Sequence, residues 1–143
     1  MLKNIINNKL ISVELGTNIL DVSKLMAKED VGCVLVLQDK KPMGLVTDRD
    51  IVIHCVAEEH DSDTCMVDEL MSTDLQVVSE EEGLFDCIRA MKDSKVRRLP
   101  VVDANGDAVG IISFGDILRV LSKELSELTD TTTPDIDIER KAA

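Results

Sequence analysis

Hydrophobic residues follow two kinds of pattern along the chain, one typical of strands and one typical of helices. The two patterns occur in the same order in each half of the chain. Short apolar runs bounded by turn residues are typical of strands. Such runs predict strands at 11–14, 33–37 and 43–47 in the first half and at 76–79, 99–102 and 108–113 in the second. The loops DKKPM and DANGDA indicate a hairpin between the second and third strands of each half, because Pro and Asn-Gly are turn signals.

Segments with the 3.6-residue period of a helix lie between these strands. One face of a helix in each half is apolar, formed by Ile19, Leu20, Val22, Leu25 and Met26 and by Leu84, Phe85, Cys87, Ile88 and Met91. A last helix is predicted over 115–128, so each half has the predicted order β-α-β-β-α. Residues 129–143 show no period and are predicted to form a flexible C-terminal tail.

The two halves are copies of one sequence unit. Residues 10–37 align with 75–102 at an offset of 65, and one extra residue in the second hairpin loop then gives an offset of 66. The phrases GLVTDRDI and GIISFGDI, which begin at residues 44 and 110, coincide at that offset. We therefore predict repeat 1 over 1–60 and repeat 2 over 61–128, with the polar residues 59–65 as a linker.

The repeated phrase has two interpretations. Thr47 and Ser113 lie where a strand passes into a helix, and Asp50 and Asp116 follow three residues later. A hydroxyl at N-cap and an acid at N3 form a capping box, although this box favours Glu or Gln over Asp. A carboxylate at this place can also accept hydrogen bonds from the vicinal hydroxyls of a ribose, as in dinucleotide sites.

Longer segments around these phrases resemble a known family. The segments VRRLPVVDANGDAVGIISFGDIL and, more loosely, VGCVLVLQDKKPMGLVTDRDIV are similar to the CBS domain. Over about residues 5–128 the chain resembles a small stand-alone bacterial CBS pair, or Bateman module. The resemblance implies an α/β (α+β) fold. Two βαββα repeats related by pseudo-twofold symmetry would pack their sheets together, flanked by helices, and leave two clefts between them.

The resemblance also implies a ligand and the residues that hold it. CBS pairs of this kind are non-catalytic regulatory modules that bind AMP, ADP, ATP or S-adenosylmethionine in these clefts. By position, Asp50 and Asp116 would hold ribose, Thr47 and Ser113 would lie beside phosphate or ribose, and aliphatic residues would flank adenine. The implied residues are Thr47, Asp50, Arg97, Arg98, Val13, Val34, Leu99 and Pro100 for the first cleft and Ser113, Asp116 and Val78 for the second.

The basic residues differ between the two copies. Arg97 and Arg98 precede an apolar strand, and the resemblance implies that they reach the phosphate of a nucleotide held by Asp50; a solvated turn is the alternative. The matching residues in the first copy are Gly32 and Cys33, which cannot bind a phosphate in this way. The first cleft is therefore expected to favour a phosphorylated nucleotide. The second is expected to be empty or to hold a less anionic ligand.

Composition narrows the possible partners. The net charge is −12, with 16 Lys and Arg against 28 Asp and Glu, which argues against nucleic acid and anionic membranes as partners. The longest apolar run, 33–37, is too short to span a bilayer, and the N-terminal residues MLKNIINNKL lack the apolar core of a secretory signal. We therefore expect a cytoplasmic protein.

No constellation of catalytic or metal-binding residues stands out. Four scattered cysteines are expected to be reduced thiols, and the spacing of His54, Cys55, His60 and Cys65 fits no closed zinc pattern. We find no nucleophile–base pair and expect neither catalysis, a metal nor a cofactor. The partners expected are an adenosine-containing small molecule, a second copy of the chain in a homodimer, and an unknown downstream protein. The alternative function is a structural homodimer whose clefts stay empty.

Overall fold

The strands and helices occur in two similar sets in this computed structural model, which describes residues 1–6 and 9–142, with side chains as far as residue 131. The first set consists of β1 (Ser12–Glu14), α1 (Ile19–Glu29), β2 (Cys33–Gln38), β3 (Lys41–Thr47), α2 (Asp48–Ile51) and a π-helical turn (Val52–Val56), after a 3-10 turn at Leu2–Asn4. The second set consists of α3 (Val67–Leu70), β4 (Val78–Ser79), α4 (Leu84–Ser94), β5 (Arg98–Val102), β6 (Ala108–Ser113) and α5 (Phe114–Ala142).

Each set contains one three-stranded sheet. In the first sheet β1 runs parallel to β2, and β2 runs antiparallel to β3; β4, β5 and β6 are arranged in the same way in the second. The register shifts between Val36 and Leu37 in the first sheet and between Val101 and Val102 in the second. These shifts lie 65 residues apart, at the offset of the sequence repeat. The predicted α/β fold with two sheets and flanking helices is confirmed.

Each sheet has its own hydrophobic core, because alternate residues of a strand face opposite sides. In the first core, Ile19 and Val22 of α1 pack with Val34, Val36 and Val46 of the sheet, and all five side chains are fully buried. The second core is built in the same way from α4, β5, β6 and the start of α5, with Cys87, Met91, Leu99, Val101, Ile112 and Ile117. The apolar helix faces in the sequence therefore mark the faces that cover the sheets.

The segment that precedes each repeat packs in the core of the other repeat. The fully buried Leu2 belongs to the second core, and Val67 and Leu70 of α3 belong to the first. The Leu2 N–H donates to the carbonyl of Glu82 at 3.0 Å, and the Val67 N–H donates to the carbonyl of Thr17 at 2.8 Å. The two donor residues lie 65 positions apart in the sequence, and so do the two acceptor residues. Each core thus takes residues from both halves of the chain.

The residues expected to link the repeats also pack against the first of them. The N–H groups at the start of a helix have no partner within it. Here the Ile19 N–H donates to the carbonyl of Cys65 at 2.9 Å, and the Leu20 N–H donates to the carbonyl of Ser62 at 3.0 Å. Cys65 is buried in the first core. The linker therefore completes the start of α1.

The last helix is longer than the sequence pattern predicts. Instead of ending near residue 128, α5 continues to Ala142. The hydroxyls of Thr129 and Thr131 donate to the carbonyls of Leu125 and Glu127, at 2.9 and 3.0 Å, so these polar residues are accommodated within the helix. Within the described residues neither α5 nor any other helix is long and apolar enough to cross a membrane. Residue 143 lies outside the described part of the chain.

The packing of β3 against the residue after α3 leads to a stability prediction. A Cβ added at Gly44 would lie 2.5 Å from Sδ and 3.0 Å from Cβ of Met71, so the whole Met71 side chain would have to move. We expect Gly44→Ala to lower the free energy of unfolding by about 1–3 kcal/mol, measured by urea denaturation. Gly115→Ala is the control, because its nearest contact would be at 3.6 Å and alanine favours the helix. Equal stability of the two variants would contradict this packing.

Candidate functional site

Two cavities lie between the repeats at equivalent positions. The first has a volume of about 370 Å³ and the second a volume of about 240 Å³. Each residue that lines the second cavity has a counterpart, 65 or 66 residues away, that lines the first. The two cavities therefore lie where the resemblance implies two clefts, and they can be compared position by position.

Thr47 and Asp50 lie together on the wall of the first cavity. The capping box is present: the Asp50 N–H donates to Thr47 Oγ1 at 3.2 Å, and the Thr47 N–H donates to Asp50 Oδ2 at 2.9 Å. The other carboxylate oxygen, Oδ1, has no hydrogen bond or ion pair with any residue that the structure describes. One side chain can thus cap α2 and still accept hydrogen bonds from a ligand.

Arg97 and Arg98 line the same cavity from the second repeat. Both side chains are exposed, and neither guanidinium forms an ion pair with a carboxylate among the described residues. The Arg97 guanidinium lies over the Phe114 ring, 5.2 Å from its centroid, which is within the range of a cation–π contact. The first cavity therefore contains two positive groups available to an anion, together with Asp50.

The aliphatic residues implied for the clefts do not line either cavity; these are Val13, Val34, Val78, Leu99 and Pro100. Val34 and Leu99 are fully buried in the two cores, on the faces of β2 and β5 that are covered by helices. Successive side chains of a strand point to opposite faces, so the neighbouring residues Cys33 and Arg98 line the cavities instead. Pro100 shares the face of Arg98 on β5 but is fully buried and lines neither cavity.

Other residues form the walls that the sequence analysis missed. Leu45, Leu75 and Val96 supply apolar surface in the first cavity, and Asp74 and Gln76 add polar groups. The loop residues 74–76 precede β4 and show no hydrophobic periodicity that would identify them as part of a site. The only signal in the sequence is their alignment with residues 9–11, which line the second cavity.

The second cavity has the same capping geometry but different charges around it. The Ser113 N–H donates to Asp116 Oδ2 at 2.7 Å, and the Asp116 N–H donates to Ser113 Oγ at 3.1 Å. Ser113 lines the cavity and Asp116 does not. The other oxygen of Asp116 is paired with Arg119, and the counterpart of Arg119 in the first repeat is Ile53. This carboxylate is already neutralised within its own helix.

More cations line the second cavity than the comparison of the two repeats predicted. Gly32 and Cys33 line it as expected, but Lys9 and Arg98 line it as well. Lys9 forms an ion pair with Glu29, and that pairing lowers the pKa of the Glu29 carboxyl. The counterpart of Lys9 in the first cavity is Asp74. Of the two cations at this cavity, Lys9 is therefore paired within the protein, whereas Arg98 has no carboxylate partner among the described residues.

Cys33 lies on the wall of both cavities as a neutral group. Burial raises the pKa of its thiol to about 11, although the positive charge of Arg98 acts in the opposite direction. Asp50 and Asp48 raise it further, by repulsion of the thiolate. At neutral pH the side chain is a protonated thiol. All four cysteines of the chain are free thiols.

Both histidines lie beside one carboxylate. His54 Nδ1 and His60 Nε2 lie 3.5 and 3.8 Å from the two carboxylate oxygens of Glu58, and both imidazoles are about half exposed. Among the described residues, no three His, Cys, Asp or Glu side chains are arranged to hold a metal ion.

Sequence comparisons agree with this architecture. The family model for the CBS domain matches residues 2–56 and 67–123. The CBS domain-containing protein YhcV of Bacillus subtilis is 33% identical over 115 residues, which cover 80% of this chain and 81% of that protein. The matched region spans only about half the length, 52%, of an uncharacterised relative from Methanopyrus kandleri.

Solved structures with the same fold include two informative examples. A CBS-domain protein from Burkholderia ambifaria is 30% identical, with a TM-score of 0.70 over 80% of this chain and 83% of that one. The CBS domain pair of protein MJ0100, solved with 5′-methylthioadenosine and S-adenosyl-L-methionine, has a TM-score of 0.73 over 85% of this chain and 98% of that one. Its identity of 22% shows the shared fold alone. The chain belongs to the CBS domain family, and its two copies of the domain form a tandem CBS pair, a regulatory module.

Proposed function

We propose that this CBS pair binds an adenine nucleotide in its first cavity and passes the occupancy of that cavity to a partner protein in the cytoplasm, without catalysing a reaction. One observation carries the proposal. The free carboxylate oxygen of Asp50 and the guanidinium groups of Arg97 and Arg98 line one cavity of about 370 Å³. That volume is within the usual range for small-molecule sites, about 300–1,000 Å³.

Each part of a nucleotide has a suitable group in this cavity. Asp50 can accept hydrogen bonds from the 2′- and 3′-hydroxyls of a ribose. Arg97 and Arg98 offer planar donor groups that bind phosphate oxygens bidentately. Leu45, Leu75 and Val96 offer apolar surface to a flat base. No partner charge within the described residues has to be displaced before the phosphate binds.

The first cavity has two guanidinium groups without an ion pair, Arg97 and Arg98, beside the carboxylates of Asp50 and Asp74, whereas the second has Arg98 and the paired Lys9. We therefore expect a phosphorylated ligand in the first cavity and a less anionic one in the second, because two planar guanidinium donors suit a phosphate and not the sulfonium of S-adenosylmethionine. The second cavity is smaller, and the charges of Lys9 and Asp116 are already paired there. The CBS pair of MJ0100, which has the same fold, was solved with two adenosine-containing compounds, and a ligand of that class is the one that we propose here.

Calorimetry with matched cap variants tests this assignment. In protein stripped of bound nucleotide, Asp50→Ala is expected to weaken AMP binding at least about tenfold, because a hydrogen bond to a charged group contributes about 1.5–3 kcal/mol. Asp116→Ala is the control, since it removes the same kind of cap from the other repeat, and its tight AMP affinity is expected to be unchanged. Circular dichroism verifies that both variants fold. The opposite ranking of affinities would reject the first cavity as the nucleotide site.

A second candidate is an interaction module that forms homodimers while its cavities stay empty. Large apolar side chains on α4 and α5 remain exposed, with Phe85 at 74%, Leu118 at 50% and Leu125 at 63%. Surfaces of this kind favour association. Thermal denaturation with AMP, ATP or S-adenosylmethionine separates the two candidates. A ligand at 100 times its Kd stabilises the folded state by about 2.7 kcal/mol, so no shift with any of them would favour the second candidate.

A further inference from the structure

The two cavities share a wall that contains a single arginine. Cys33 at the start of β2 and Arg98 at the start of β5 occupy equivalent positions of the repeat, and both residues line both cavities. A duplicated position with a cation in each copy would provide one for each cavity. Because the first copy has cysteine there, one guanidinium lies between two sites.

The remaining cations are distributed unequally. Arg97 lines the first cavity only, and its counterpart in the second cavity is Gly32. Lys9 lines the second cavity, but it is paired with Glu29. Among the described residues, Arg98 is therefore the one cation on the second cavity that has no carboxylate partner. An anion bound there would depend on the same group as an anion bound in the first cavity.

We propose that the two cavities compete for Arg98, so that a phosphorylated ligand in the first cavity weakens the binding of a phosphorylated ligand in the second. This inference rests on the proposed function of the first cavity. A guanidinium that is bidentate to one phosphate has turned its donor edge to that cavity. A second anion across the shared wall is also repelled by the first. By linkage, the coupling is equal in both directions. Adenosine has no phosphate and does not require Arg98, so its binding to the two cavities is uncoupled.

The test compares the weak AMP-binding step in two proteins. Isothermal titration of the native chain with AMP is expected to give a tight step in the first cavity and a weak step in the second. Asp50→Ala removes the ribose acceptor of the first cavity and leaves Arg98 in place. In this variant the second cavity is expected to bind AMP at least about fivefold more tightly than the weak step of the native chain. With adenosine as the probe, the affinity of the second cavity is expected to be the same in both proteins.

The possible outcomes separate this inference from the proposed function. Loss of the tight step with an unchanged weak step overturns the competition and leaves the proposed function intact. Absence of any AMP binding in Asp50→Ala also overturns the competition. If the tight step survives in Asp50→Ala, the proposed function itself fails. If the alanine variant does not fold, Asp50→Asn takes its place in the same comparison, because the asparagine retains an acceptor for the Thr47 N–H.

A reciprocal variant adds the missing cation. Cys33→Arg places a second guanidinium on the shared wall, and the ratio between the tight and weak AMP affinities is then expected to fall at least about fivefold. Val56→Arg is the control for an added guanidinium, because Val56 is exposed and lines neither cavity, and its ratio is expected to match that of the native chain. An unchanged ratio in Cys33→Arg would overturn the competition, because the supply of guanidinium groups would not limit the second site.

Discussion

Arg98→Ala is expected to weaken AMP binding about 30- to 100-fold, the largest effect we predict for any single residue of the clefts. A charge-assisted pair of hydrogen bonds to a phosphate contributes about 2–3 kcal/mol, and each 1.4 kcal/mol is a factor of ten in affinity. The Arg98 guanidinium has no ion pair with a carboxylate among the described residues, so a phosphate exchanges only with water when it binds there. Isothermal titration with AMP measures the effect.

Three controls test whether Arg98 acts through the phosphate of the ligand. Arg98→Lys keeps the charge and loses the planar fork, so its AMP affinity is expected to lie between those of the native and alanine proteins. Lys92→Ala removes a nearby cation that lines a separate apolar cavity between α4 and α5, and AMP binding is expected to be unchanged. Adenosine binding is expected to change less than about threefold in Arg98→Ala. An equal loss for adenosine and AMP would show that Arg98 supports the fold of the cleft and not the phosphate.

Leu2→Ala is expected to lower the free energy of unfolding by about 3 kcal/mol. The Leu2 side chain is fully buried in the second core, whose other buried residues lie between Val78 and Ile117 in the second repeat. Truncation of a buried leucine costs about 2–5 kcal/mol, through lost burial and the cavity that remains. Chemical denaturation followed by circular dichroism measures the difference.

Asn4→Ala is the matched control for this substitution. Asn4 lies in the same turn and is exposed, so its truncation is expected to change the free energy of unfolding by less than about 0.5 kcal/mol. Val67→Ala is the equivalent change in the other repeat, because Val67 is also fully buried and lies at the same offset. If Leu2→Ala and Asn4→Ala have the same stability, the N-terminal segment does not dock as described.

The sequence pattern predicted the order of strands and helices, and the resemblance to the CBS domain supplied the fold and the residues of the clefts. Thr47 and Asp50 were singled out because a duplicated phrase places a hydroxyl and an acid at the start of a helix. Arg97 and Arg98 were singled out as a local basic cluster, and the resemblance implied that they reach a phosphate. The structure places all four on the wall of one cavity, and their role in binding a nucleotide stays a prediction.

The apolar half could not be predicted in the same way. β2 is buried at Val34, Leu35, Val36 and Leu37 in succession, so hydrophobicity does not distinguish its two faces. A shift of one residue in such a strand exchanges the helix-covered face for the face toward the clefts. Lys9 and Asp74 were missed for a different reason. The recognisable alignment begins one residue after each of them, and opposite charges at one repeat position conceal the equivalence.

The exchange of segments between the cores was visible in the sequence but not used. Extended backwards at the same offset, MLKNII aligns with MVDELM, and Leu2 then corresponds to Val67. Apolar residues at the same positions of both segments were the available signal. Local pattern alone does not say which core an apolar residue joins, because the two cores have similar walls. That choice depends on tertiary geometry.

The crossing of these segments also determines when the protein can fold during its synthesis. Leu2 is translated 80 residues before Glu82, its hydrogen-bond partner, and further ahead of Ile112 and Ile117, which help to bury it. The first core, in turn, cannot be completed until Val67 and Leu70 have been translated. A nascent chain that has emerged only through residue 60 therefore has an open core and an unburied leucine. Closure of such long loops makes folding a late, cooperative event, because the first core needs the chain as far as Leu70 and the second needs it as far as Ile117.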